Sequence, residues 1–408
     1  MISTIRHLVR TRRAFHHRRT PLDVRLQLQP LEERTVPSTL LVDDDRRQFR
    51  NAPFTNVQSA VNAAHSGDLI WVAKGVYQEQ IVFPSTLRNV FLLNAGGALI
   101  GALPGAGDGS GAIIHVNGAQ GITISGFTIT GGVGTADLEF GVLVDHSGSA
   151  TISFNHIVNI QTNPLGTNQG AAAIQIGESS TGTPGVGNVF GNTIENYQKG
   201  GIVVIGAGSN ADVTANTVRG IGPTTVVAQN GIQVSDGATG RVRYNTVSGN
   251  QFVSTTIEGV GILVFSTANV RVEANTVTTS DEGILVDSST GVSVQYNTAN
   301  KNTINGIGVL GGSNNVVRFN TTLQNVFDGI NLEDTTGNTV DGNTASSNGR
   351  DGVALEATAT GNAITRNSAF RNGRFDLSDA SASFTNFFSR NSFKTRGAPS
   401  FAAVFTIH

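Results

Sequence analysis

Seven of the ionisable residues between positions 137 and 258 are candidates for sugar chemistry. A pair of carboxyl groups serves glycoside hydrolysis, and a Lys or His base beside an Arg can abstract a proton next to a uronate. These candidates are Asp137, Glu139, Asp145, His146, Lys199, Arg219 and Glu258. The alternative is that each one is a solvated loop residue without a catalytic role.

A second group of polar residues recurs immediately before a Gly-Ile-like pair. Carboxylates stacked about 5 Å apart repel each other, which raises their pKa values or recruits a hard cation such as Ca²⁺. The residues are Glu282, Asn305, Asp328 and Asp351, of which the three acids are candidate metal ligands. The alternative is that acids favour this turn and face water. The spacing of Ca²⁺-binding nonapeptide repeats is absent.

One repeated phrase sets the positions of both groups. A Gly-Ile-x-Val run is followed about fourteen residues later by an Asn-Thr run. The Asn of the second run recurs 22 to 30 residues apart, at Asn192, Asn216, Asn245, Asn275, Asn297, Asn320, Asn343, Asn367 and Asn391. Such a period with very short apolar strands is typical of a solenoid in which each repeat is one coil. We expect the recurring Asn side chains to stack and bond along the axis, a structural role.

Alternation within each repeat indicates short strands with one buried face. Ile284 and Val286 are expected to point inward, and Leu285 and Asp287 outward. Three strands per coil give about eleven or twelve coils. The interval from an Asn to the next Gly-Ile lengthens repeatedly before residue 261, so extra loops leave one corner in the N-terminal half and could wall a binding face there.

Four segments follow from composition and pattern. Residues 1–38 form a basic leader, which we expect to be disordered and which contains Leu31-Glu32-Glu33-Arg34, similar to an N-terminal motif of large bacterial surface proteins. Residues 39–95 hold an N-terminal cap with one short amphipathic helix and the first coils, 96–395 the repeats, and 396–408 a C-terminal cap or tail. The helix is expected to cover the open first coil.

Composition excludes several functions. The net charge of −2 gives no field that would recruit nucleic acid, and the absence of Cys excludes disulfides, thiolate metal sites and a Cys nucleophile. No stretch approaches the roughly 20 apolar residues that span a bilayer. Low charge and high Gly content disfavour both disorder in the repeats and a helical repeat.

The repeats resemble the right-handed parallel β-helix proteins of the pectin lyase-like class over residues 41–395. The resemblance implies an all-β fold and an extracellular or periplasmic location. It also implies an activity on polysaccharides, because the enzymes of that class act on them. Gly75, Tyr77 and Glu79 match a pectin methylesterase motif, and Asp145-His146 loosely matches a pair of the pectate lyases. The remaining motifs of these branches, and those of polygalacturonases and alginate epimerases, are missing.

Two functions therefore stay open. The first is a secreted or cell-surface protein, expected to be monomeric, that binds or processes a polysaccharide or cell-envelope glycan, as a lyase or hydrolase if it is catalytic. The second is a non-catalytic structural or adhesive protein in which the repeats form a rigid spacer. A groove with two carboxylates about 5–9 Å apart, or a cluster of Arg, Lys and His, favours the enzyme.

Overall fold

A computed structural model describes residues 37–102, 108–131, 138–162, 165–167, 169–178, 180–254, 257–381 and 385–397. The predicted leader up to residue 36, the tail from residue 398 and the candidate Asp137 lie outside these ranges. Residues from Pro37 onward belong to one compact unit. The proposed boundary at residues 95 and 96 falls between two strands of the same coil.

The described chain winds through three parallel sheets in a fixed order, which we number sheet 1, sheet 2 and sheet 3. The 14 strands of sheet 1 are Thr39–Val42, Leu69–Val72, Phe91–Asn94, Ile122–Ser125, Gly148–Ser153, Gly185–Phe190, Asn210–Thr214, Thr239–Arg243, Arg271–Glu273, Ser293–Gln295, Val316–Arg318, Thr339–Asp341, Ala363–Thr365 and Phe387–Ser389. The 13 strands of sheet 2 are Gly75–Gln78, Ala98–Gly101, Thr128–Thr130, His156–Val158, Thr193–Glu195, Thr217–Thr224, Thr246–Phe252, Thr276–Thr278, Thr298–Asn300, Thr321–Leu323, Thr344–Ser346, Ser368–Phe370 and Ser392–Phe393. The 13 strands of sheet 3 are Ile81–Pro84, Ala112–Asn117, Phe140–Asp145, Ala172–Ile176, Gly200–Ile205, Asn230–Ser235, Val260–Phe265, Glu282–Asp287, Ile307–Leu310, Ile330–Glu333, Asp351–Leu355, Phe375–Asp379 and Arg396–Gly397.

The stack is a parallel β-helix, as the repeat predicts. The described coils number thirteen, slightly more than the eleven or twelve expected, since the strands before Phe140 form coils without the Asn-Thr phrase. In the described part of the chain, no helix is long and apolar enough to cross a membrane.

Stacked β-branched side chains fill the interior. In sheet 1, Val242, Val272, Val294, Val317 and Val340 lie in register on successive coils, and all are fully buried. Equivalent side chains are therefore about one strand spacing, ~4.8 Å, apart, which is the distance at which like apolar groups pack. The inward half of the predicted alternation is confirmed for Ile284 and Val286, which are fully buried.

The predicted helix covers the first coil. It spans Val57–Ala63, and the side chain of Asn56 caps it by accepting a hydrogen bond from the Ser59 amide at 2.8 Å. Its first turn also donates two amides to the carboxylate of Glu79, from Val57 at 2.7 Å and Gln58 at 2.8 Å. The Gly75-Tyr77-Glu79 motif thus ties the cap to the coil.

The recurring Asn residues form a ladder at the corner between sheets 1 and 2. Asn320 is typical: its side-chain nitrogen Nδ2 donates to Val294 O at 2.9 Å and to Asn343 Oδ1 at 3.0 Å. Its own Oδ1 accepts from the backbone and side-chain nitrogens of Asn297. The same pattern satisfies the corner backbone at each coil from Asn155 to Asn391, so the structural interpretation is confirmed.

Two further Asn ladders escaped the sequence analysis because no shared apolar phrase marks them. One, at the corner between sheets 2 and 3, consists of Asn302, Asn325, Asn348 and Asn372. The other, between sheets 3 and 1, consists of Asn315, Asn338, Asn362 and Asn386. All three corners of the C-terminal coils are therefore cross-linked by side-chain amides.

We expect Asn320→Ala to lower the free energy of unfolding by about 2–4 kcal/mol, because it leaves the buried Val294 carbonyl and Asn297 amide without partners. Urea titration measures the change. Asn210→Ala is the control, since the exposed side chain of Asn210 donates to the Thr239 hydroxyl at the surface, and it is expected to cost less than about 0.5 kcal/mol. Equal losses in the two variants would contradict the ladder's role.

Candidate functional site

A groove of about 690 Å³ lies on the outer face of sheet 3, beside the insertion between Phe252 and Gly259. We call it the acid groove. Its ionisable lining residues are five acids and one base, namely Glu258, Asp281, Glu282, Glu333, Glu356 and Arg350. Its apolar walls include Phe252, Ile257 and Phe327, of which Ile257 and Phe327 are exposed to solvent.

Asp281 holds the insertion that carries Glu258. One of its carboxylate oxygens accepts the amide of Phe252 at 2.7 Å and the amide of Gly259 at 2.8 Å, so it ties both ends of the insertion together. The other oxygen accepts the Thr303 hydroxyl at 2.6 Å. The position of Glu258 at the groove wall is therefore set by a buried carboxylate of the next coil.

Glu282 is a second buried acid of the groove, with 4% of its surface exposed. Its Oε1 accepts a hydrogen bond from Asn305 Nδ2 at 2.8 Å, whereas its buried Oε2 has no hydrogen-bond partner among the described residues. Burial, followed by the nearby charge of Glu258, raises the pKa of Glu282 well above its ordinary value. Burial and the charges of Asp281 and Glu333 also raise the pKa of Glu258.

The rest of the predicted acid column is neutralised by arginine. Arg350 binds both oxygens of Asp328, with its Nε 2.8 Å from Oδ1, and also reaches Glu356. Arg374 Nε lies 2.9 Å from Asp351 Oδ1, and the hydroxyl of Ser378 donates to Oδ2. Burial raises the pKa of Asp351, but the hydrogen bonds from Arg374 and Ser378 lower it by a larger amount. The net shift of the Asp351 pKa is therefore downward.

The expectation that these acids face water is wrong, because Asp328 and Asp351 are fully buried and Glu282 nearly so. The guanidinium groups of Arg350 and Arg374 bind Asp328 and Asp351, the two acids that are also candidate ligands for a metal cation. Within the described column, Glu282 is the acid that no arginine reaches in the hydrogen bonds of the structure.

A second site, the histidine cluster, consists of Asp108, His115, Asp145 and His146. His115 lies on Ala112–Asn117 and Asp145 ends Phe140–Asp145, the next strand of sheet 3, where Leu143 pairs with His115. His115 Nδ1 is 2.5 Å from Asp108 Oδ2, and His115 Nε2 is 2.8 Å from Asp145 Oδ1. His146 Nδ1 lies 2.9 Å from the same Asp145 oxygen.

Charge and burial compete within the histidine cluster. Burial lowers the pKa of His115, but hydrogen bonds to Asp145 and Asp108 raise it by more, so the net shift is upward. Burial raises the pKa of Asp145, and its bonds to His115 and His146 lower it by more. Asp145 and His146 were candidates from the sequence, whereas Asp108 and His115 were missed. The 30-residue step from His115 to Asp145, one coil, was the available signal.

The other candidates are not brought together. Lys199 Nζ donates to the Ala228 carbonyl at 2.5 Å, and burial lowers the pKa of Lys199 to about 8. Arg219 is exposed on sheet 2, where it pairs in register with Glu195. Glu139 lies just before the sheet 3 strand Phe140–Asp145. The candidate bases Lys199 and His146 thus adjoin strands of sheet 3, whereas Arg219 lies on sheet 2.

Comparison with known proteins places the fold. A family model described as periplasmic copper-binding protein (NosD) matches residues 222–397, less than half of the chain. The structure of the periplasmic alginate epimerase AlgG is similar, with a TM-score of 0.53 and 16% identity over 79% of this chain and 76% of that one. The chain has the right-handed parallel β-helix fold.

Two further solved structures share this fold with the β-helix protein. The Dettilon tailspike protein (gp208) has a TM-score of 0.57 and 14% identity over 84% of this chain and 63% of that one. The XylC complex with xylose has a TM-score of 0.54 and 12% identity over 86% of each chain. No curated protein matches the sequence.

The copper named in the family description does not fit the matched residues. Copper sites in proteins are built mainly from thiolate, thioether and imidazole ligands. Residues 222–397 contain no Cys, Met or His, and all eight His of the chain lie outside them. The acid groove within that range offers carboxylates, which are not the preferred ligands of such copper sites.

Glu282 makes the stability of the β-helix protein depend on pH. Because its pKa is raised in the folded state, its stabilising contribution is complete below its ordinary value of 4.5 and is lost as pH rises through the raised value. Glu282→Gln, which stays neutral, should therefore gain in melting temperature over the wild type progressively as pH increases. Thermal unfolding between pH 3.5 and 9 measures this difference.

Asp236→Asn, which removes an exposed carboxylate, controls for the lost charge. Parallel pH profiles for Glu282→Gln and wild type would contradict the prediction.

Proposed function

We propose that this β-helix protein is an extracytoplasmic protein that binds a polysaccharide in the acid groove and hydrolyses it with Glu282 and Glu258. The observation that carries the proposal is the buried Glu282 carboxyl group, which keeps one oxygen without a partner among the described residues and lies in one groove with Glu258. Among the described acids of its column, it is the one without an arginine.

Glycoside hydrolysis requires one carboxyl group that keeps its proton and another that loses it. Glu282 is the more buried of the two, and Glu258 adds to the rise in its pKa, so Glu282 retains its proton as Glu258 ionises. Glu282 then protonates the oxygen of the leaving sugar. Glu258, at the insertion wall of the same groove, acts either as the base that activates a water molecule or as the nucleophile.

The charge of the groove selects among polysaccharides. Five acids line it, and its Arg350 is already bound to Asp328 and Glu356. Such a groove repels uronates and favours neutral or amino-substituted sugars. Phe327 is 45% exposed and offers an apolar ring face of the kind on which sugar rings pack.

Proteins of the same fold support a glycan ligand and a location outside the cytoplasm. AlgG is named as an alginate epimerase, and the XylC structure contains xylose. AlgG and the NosD family are both described as periplasmic. We propose secretion or display at the cell surface for this protein, in keeping with the surface-protein motif of residues 31–34.

The test is to incubate the protein with neutral glycans, amino-substituted glycans and uronans, with and without Ca²⁺. We expect new reducing ends from a neutral or amino-substituted glycan, without the ultraviolet absorbance of unsaturated uronates. Glu282→Gln should lower kcat at least about 100-fold while binding persists, because it removes the proton donor. Phe327→Ala should weaken binding about 5-fold through loss of the ring face.

Two variants outside the groove serve as controls. Glu273→Gln removes a carboxylate from sheet 1, and Phe319→Ala removes an exposed ring that stacks on Tyr296. Both should retain activity and binding. Ultraviolet-absorbing products would contradict hydrolysis in favour of β-elimination. Binding without any product would confine the role to glycan binding, and absence of both would favour the structural or adhesive alternative.

A further inference from the structure

We propose that the histidine cluster is a binding site for a divalent transition-metal ion of the zinc type, with His115, Asp145 and His146 as ligands. The site lies on coils that precede the acid groove by more than 100 residues of sequence and outside the range matched by the NosD family. It stands independently of the proposed glycan hydrolysis.

The three donors have the composition and spacing of a metal centre. One ligand atom from each of His115, Asp145 and His146 lies within 4.8 Å of the other two. Two imidazoles and one carboxylate are a ligand set that holds Zn²⁺ and related ions while leaving positions for water. An ion between these atoms replaces the contacts that His115 Nε2 and His146 Nδ1 now make with Asp145 Oδ1.

Asp108 supplies the outer support that metal-bound histidines require. Its Oδ2 accepts from His115 Nδ1, which leaves Nε2 of the same ring to face Asp145. Asp108 is itself fixed, because its Oδ1 accepts from Gln80 Nε2 at 2.9 Å and from the Ser110 amide at 3.0 Å. The ring of His115 is therefore oriented by a chain of hydrogen bonds.

Burial differs among the ligands in a way that suits ion entry. The side chains of His115 and Asp145 are 4% and 5% exposed, so their positions are set by packing within sheet 3. The side chain of His146 is 49% exposed and lies on the turn after the strand. The ion can approach from solvent past His146 and keep water in its remaining positions.

The experiment is to strip the full chain with chelator and titrate it with Co²⁺, followed by competition with Zn²⁺. We expect wild type to develop the visible absorption of Co²⁺ bound by nitrogen and oxygen ligands. The absorption should saturate when one equivalent of Co²⁺ is bound at the histidine cluster, in addition to any Co²⁺ bound at other places on the chain. His115→Gln and Asp145→Asn should abolish this absorption. Asp108→Asn should weaken binding about 10–100-fold, because it removes only the outer support.

Matched variants keep the result unambiguous. His156→Gln removes an exposed His that contacts Glu195, and it should bind Co²⁺ as wild type does. Histidines 7, 16 and 17 are present in every variant, so any binding by them cancels in the comparison. His146→Gln replaces a half-exposed side chain and should fold normally, as checked by circular dichroism, yet lose the absorption. Identical Co²⁺ spectra and affinities for wild type and folded His146→Gln would overturn the proposal.

Discussion

The structure depends on in-register stacking of one coil on the next. Each turn of backbone must find hydrogen-bond partners from the adjacent coil, and at the corners the backbone cannot do so alone. The side chain of Asn320 meets this need by donating to the Val294 carbonyl and accepting the Asn297 amide, and the backbone amide of Asn320 in turn donates to Asn343 Oδ1. Side chains of one column are therefore held about one strand spacing apart, whether they are apolar, amide or charged.

For charged residues this constraint creates repulsion that must be offset. Asp328 and Asp351 are stabilised by arginines 22 and 23 residues further along, which is one coil. Glu282 receives an amide from Asn305 instead, and its pKa rises as a result of burial and the Glu258 charge. The acid groove lies where arginine no longer pairs with the stacked acid, so the column leaves Glu282 with an unpartnered carboxyl oxygen among the described residues.

Sheet 3 carries both candidate sites because insertions at the neighbouring corner leave its outer face partly walled. Asp281 closes the insertion between Phe252 and Gly259 against the groove. At the earlier coils, Asp108 reaches His115 from the segment that precedes the strand Ala112–Asn117. In both places a side chain on a loop meets a side chain fixed by the sheet, which combines precise position with access to solvent.

The repeat in the sequence determined the coil, the inward columns and the first Asn ladder, and a separate amphipathic pattern determined the capping helix, because these depend on local periodicity and on residue types with one steric role. Asp145, His146 and Glu258 were also recognisable as reactive types near insertions. Only the tertiary structure decided which of these residues have hydrogen-bond or ion-pair partners on other coils. His115 joins Asp145 across one coil, Arg350 and Arg374 neutralise acids that looked solvated, and Lys199 is bound to a carbonyl. These contacts depend on insertion lengths and side-chain reach between coils, which periodicity does not encode.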